Sequence, residues 1–103
     1  MRIKLTRAQF EAFFYVVRMA LRQPSCTDPR TYHERIEACL LSRIYKKLHA
    51  KSVDVKQHYS VKLADEEALV VGAVFCDHRY DNKSFEGNFL NMLLSDICKH
   101  YGV

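Results

Sequence analysis

Hydrophobic residues recur along this chain with two different periods, and the changes between them mark the elements. Arg2 to Leu5 reads as a short strand. Thr6 then stands as a helix N-cap with Gln9 three residues later, the spacing of a capping box. Leu5 and Phe10 flank that start as a hydrophobic staple, and Phe10, Phe13, Phe14, Val17 and Leu21 continue at helical spacing. Gln23-Pro24 ends the run, because the residue before proline is pushed out of the α region. A loop is expected over Pro24 to Pro29.

The second helix is expected from Thr31 to Ala50, beginning at Asp28-Pro29 or at Thr31. Ile36, Leu40, Ile44 and Leu48 recur every four residues, with Tyr32 and Cys39 alongside, and are expected to face the core. Arg35, Ser42, Lys46 and His49 form a separate polar stripe. After a connector over Lys51 to Gln57, His58 to Leu63 alternates: Tyr59, Val61 and Leu63 on one face, His58, Ser60 and Lys62 on the other.

Residues 68–75 admit two readings. Val70, Val71 and Val74 favour a strand, whereas Asp65, Glu66 and Glu67 place negative charge where a helix N-terminus stabilises it. An internal echo decides for a helix over 65–77. Ile3-Lys4-Leu5-Thr6-Arg7-Ala8-Gln9-Phe10 aligns with Val61-Lys62-Leu63-Ala64-Asp65-Glu66-Glu67-Ala68, strand then helix in both. Cys76 to Lys83 is a polar loop. A last helix follows from Ser84 to His100, with Phe85, Phe89, Met92, Leu93 and Ile97 on its apolar side and Gly102 as its C-cap. The expected fold is α+β and mainly helical, with about four helices and two short strands paired as a small ribbon. Their relative direction stays open.

A chain of 103 residues supports one core, so residues 1–103 are expected to form a single domain. With 49% hydrophobic residues, three glycines and two prolines, collagen-like and disordered classes are excluded. No apolar run reaches the roughly 18 residues of a membrane span, and Glu11 and Arg18 bracket the first apolar stretch, so no signal peptide or membrane partner is expected. The expected location is cytoplasmic, which would leave Cys26, Cys39, Cys76 and Cys98 as reduced thiols.

The net charge of +4 is unevenly spread. Residues 1–51 carry 11 basic and 4 acidic side chains, +7, and residues 52–103 carry 5 and 8, −3. That asymmetry, with an apolar surplus in which Phe13/Phe14 and Leu93/Leu94 are expected to exceed what one small core buries, points to a non-catalytic protein-interaction module. It would self-associate as a two-fold dimer and turn a basic second helix toward an acidic partner. The residues that would bind are Arg30, Arg35, Arg43, Lys46, Lys47 and Lys51, assisted by Arg2, Lys4 and Arg7. The same cations support an alternative, nucleic-acid binding through residues 30–51. A third reading is a small enzyme using the loop Asp77, His78, Arg79 and Asp81, where a carboxylate would orient the imidazole for proton transfer. Two C-x-H pairs, Cys76/His78 and Cys98/His100, lack the two to four intervening residues usual in structural zinc sites. No glycine-rich phosphate loop occurs. No metal and no cofactor is expected.

Overall fold

The computed structural model describes residues 1–76 and 84–102. In chain order these form β1 (Arg2–Thr6), α1 (Arg7–Leu21), α2 (Pro24–Thr27), α3 (Tyr32–Ser52), β2 (His58–Lys62), α4 (Asp65–Phe75) and α5 (Phe85–Tyr101). The architecture is α+β, mainly helical. Its one sheet among the described residues is an antiparallel ribbon, pairing Arg2 with Lys62, Ile3 with Val61, Lys4 with Ser60, Leu5 with Tyr59 and Thr6 with His58.

Local chemistry accounts for most boundaries. At the start of α1, Thr6 Oγ1 accepts from the Gln9 N–H, and Gln9 Oε1 accepts from the Thr6 N–H. Those two bonds complete the capping box, and Leu5 and Phe10 are both buried beneath it. Thr31 caps α3 by accepting from the Glu34 N–H. Ser84 does the same for α5 through the Gly87 N–H. At its other end α5 stops on Gly102, whose φ of 71° is the left-handed conformation that glycine adopts without strain.

The core lies between the inner face of the ribbon and the helices. Ile3, Leu5, Tyr59 and Val61 project into it, and the Tyr59 ring stacks on Phe10 of α1 at 4.0 Å. Phe13 reaches Phe89 of α5, and Phe14 reaches Tyr45 of α3. α4 sends Ala68, Val70, Val71 and Phe75 inward, so residues 68–75 are helical, as the echo with residues 3–10 implied. Phe13 and Leu93 are buried, and Phe14 and Leu94 half-buried, within a single chain. The apolar surplus read from the sequence is thus largely absorbed inside one copy.

Three expectations need correction. The segment after Gln23 is not all loop: Pro24–Thr27 forms one helical turn with proline at its first position, where the missing N–H costs nothing. In α3 the buried residues are Leu41, Ile44 and Leu48, while Ile36 is 59% exposed and Tyr32 88%. A four-residue step overshoots a full turn by about 40°, so the apolar row from 36 to 48 walks about 120° around the helix and leaves the core at its early end. Cys39 lies on the far side of α3 from Leu41 and Ile44 and is exposed rather than packed.

Candidate functional site

The ribbon alternates in both strands, and register decides what the alternation presents. With Ile3, Leu5, Tyr59 and Val61 inside, the solvent face carries Arg2, Lys4 and Thr6 from β1 and His58, Ser60 and Lys62 from β2, all exposed. Met1 and Leu63 exchange both backbone hydrogen bonds, at 2.9 and 2.7 Å, and the Arg7 N–H donates to Gln57 O. Ile3/Val61 and Leu5/Tyr59 share that hydrogen-bonded phase. Arg2/Lys62, Lys4/Ser60 and Thr6/His58 are therefore the non-hydrogen-bonded pairs, in which opposed side chains stand closest. Two cations facing each other in that position are unfavourable. No carboxylate relieves them, since none of Arg2, Lys4 and Lys62 forms an ion pair among the described residues.

The cationic face continues past β2. A groove of about 500 Å³ between the end of α3 and β2 is lined by Lys47, Lys51, Lys56, His58 and Ser60, with Asp54 at the connector. Tyr59 shapes that connector by donating its hydroxyl proton to Asp54 O at 2.8 Å and accepting from the Lys56 N–H at 3.0 Å. Lys51 and Lys56 are exposed and unpaired among the described residues, which adds two cations beside the ribbon.

The six basic residues expected to form one binding stripe on α3 have different fates. Lys47 points at α4, where its Nζ donates to Glu67 Oε1 at 2.5 Å and to Lys62 O at 3.1 Å. Arg43 bridges Glu66 Oε1 at 3.1 Å and Glu67 Oε2 at 3.5 Å. Glu67 is fully buried, and its Oε1 also accepts from the Ala64 N–H at 2.8 Å. The exposed Glu66 carboxyl is held below its usual range, first by a backbone N–H at the helix start and then by Arg43. Arg30 pairs with Asp28 at 3.6 Å. Arg35, Lys46 and Lys51 remain exposed and unpaired among the described residues. Arg35 precedes Lys51 by about 24 Å of helix, so the two do not share a patch.

Sequence reasoning counted Arg2 and Lys4 only as helpers and passed over Lys56 and Lys62. The signal was present: Arg-Ile-Lys-Leu-Thr and His-Tyr-Ser-Val-Lys both put their cations in the polar phase of a strand.

Other chemistry is sparser. A cavity of about 790 Å³ among the helices is lined by Tyr15, Met19, Cys26, His33, Glu37 and Leu41, with His33 Nε2 2.7 Å from Glu37 Oε1. Burial pushes the Cys26 thiol up, against the direction that activates a nucleophile. The four cysteines are free thiols. Among the described residues no three His, Cys, Asp or Glu side chains converge to hold a metal. Asp77, His78, Arg79 and Asp81 lie outside the described residues. No helix of the described residues is long and apolar enough to cross a membrane. Comparison with protein-family models, with curated proteins and with solved structures gives no match.

Proposed function

We propose that this chain is a non-catalytic protein-interaction module that presents the solvent face of its ribbon to an acidic partner protein. The observation that carries this reading is the opposition of Arg2 and Lys62 beside Lys4, with no ion-pairing carboxylate on the face among the described residues. Like charges held together cost stability that an acidic partner returns on binding.

A nucleic acid suits the surface less well. The outward side chains Arg2, Lys4, Thr6, His58, Ser60 and Lys62 include no Phe, Tyr or Trp on which bases stack. Helix α3 is not a free recognition helix, because Arg43 and Lys47 are tied to Glu66 and Glu67. Nor does a second copy suit it in a two-fold contact across this face, where the cations would meet themselves.

The test is a fluorescence-anisotropy titration at low and near-physiological salt. Its probes are a labelled acidic peptide and a DNA duplex of equal net charge. Binding of the peptide that weakens with salt, and is lost in the double variant Arg2→Glu, Lys4→Glu, is the expected result. Tighter binding of the duplex at both salt concentrations overturns the protein-partner reading in favour of nucleic acid. Flat curves with both probes overturn it outright.

A further inference from the structure

The two outer edges of the ribbon are treated differently. The edge of β2 is occupied: Lys47 bonds to Lys62 O, and α3 lies against the strand. The edge of β1 has no strand or helix bonded to it among the described residues. Because Met1, Ile3, Leu5 and Arg7 share the hydrogen-bonded phase, the backbone N–H and C=O of Arg2 and Lys4 point away from β2. The Thr6 N–H is taken by Gln9, which closes the edge at that end. Helix α5 does not pair with that edge, and its Met92, Asp96 and His100 are exposed in a groove shared with β1. The space between is a groove of about 310 Å³, lined by β1 and by Phe89, Met92, Leu93, Asp96 and His100.

We infer that an extended acidic segment of the partner docks on β1 as a third strand. This inference rests on the acidic-partner reading and specifies how that partner binds. The incoming backbone satisfies the free groups of Arg2 and Lys4, the mode of recognition used when a peptide adds to a sheet edge. Its alternate side chains then divide between two environments. Those on the solvent face lie beside the Arg2 and Lys4 side chains and are acidic. Those on the inner side meet Met92, which is 44% exposed, with Asp96 near enough to disfavour a carboxylate, and are apolar. A second copy of β1 in this position would instead set Arg2 and Lys4 against each other. Arg2 and Lys4 thereby guard the edge against self-pairing while selecting an acidic strand.

The test uses the unaltered chain and three labelled octapeptides of alternating Glu and Val. One is unmodified, one is N-methylated at its Glu amides and one at its Val amides. Successive amides of a strand point to opposite edges, so each methylated peptide has one edge blocked. Binding of the parent is expected to survive one modification within about twofold. The other modification is expected to weaken it about tenfold or more, as two buried hydrogen bonds are lost. The sensitive peptide also reports whether the added strand runs parallel or antiparallel to β1. If both methylated peptides bind like the parent, or both lose affinity equally, edge docking is overturned. In the first case salt-dependent binding of the parent leaves the acidic-partner reading standing. If the parent does not bind, both fall together.

Discussion

The two strand-to-helix junctions, β1 into α1 and β2 into α4, follow the same backbone course and satisfy it with different chemistry. In each, the side chain at the third helical position bonds back to the N-cap N–H: Gln9 to Thr6, Glu67 to Ala64. Gln9 does so as a neutral amide near the surface, and Thr6 returns the bond. Glu67 does so fully buried, from beside an alanine that has no oxygen to return. A carboxylate out of reach of water needs counter-charges, and α3 supplies them as Lys47 and Arg43. The difference shows that a buried acid reaches well beyond its own helix. It ties two cations of α3 to α4, so the basic residues of that helix no longer act as one set, and the ribbon face keeps its own cations unpaired among the described residues.

Four substitutions would break or sharpen that contrast. The largest effect is expected from Lys47→Ala, which leaves Glu67 buried with Arg43 as its remaining counter-ion. A loss of about 3 kcal/mol in urea unfolding is expected, and a loss below about 1 kcal/mol would show that Arg43 alone suffices. Glu67→Gln should cost less, about 1–2 kcal/mol, since the amide retains its bond to Ala64. There the cation left behind is Lys47, whose side chain is 39% exposed and can take up water. Ala64→Ser would supply the missing oxygen and make the second junction resemble the first. A gain of about 0.5–1 kcal/mol in thermal unfolding is expected, and none would mean that burial bars the hydroxyl from the Glu67 N–H.

The smallest effect concerns acid. Because the folded-state Glu66 carboxyl is depressed, its stabilising contribution is present above the ordinary carboxylate range and is lost as pH falls through the depressed value. Glu66→Gln should therefore lower stability slightly near neutrality, change nothing once pH is below the depressed value, and so flatten the acid limb of a stability–pH curve. A larger effect at acid pH than at pH 7 would contradict that sign.

The first junction was readable in full because every partner in it is within five residues: Leu5, Thr6, Gln9 and Phe10. The second was readable as a helix through its likeness to the first. The burial of Glu67 was not, since Lys47 lies twenty residues upstream and three consecutive carboxylates read equally well as a solvated helix start. The turn α2 left no periodic trace because none of its four residues is buried. The cationic face was half legible. Each strand showed its polar phase, but only the antiparallel register sets Arg2 against Lys62 on one side of the sheet.

That register also bears on when the face comes into being. Arg2 pairs with Lys62 across sixty residues, and Thr6 with His58 across fifty-two, with α1, α2 and α3 between them. Closing so long a loop is entropically unfavourable until the intervening helices have drawn its ends together. The two strands gain nothing from early contact through their outward side chains, where cation meets cation. Loop-closure entropy therefore favours ribbon closure after the helices have formed, and a chain whose strands have not paired lacks the opposition of Arg2 and Lys62. The acidic partner proposed for this face would thus bind only chains whose two strands, sixty residues apart, have already met.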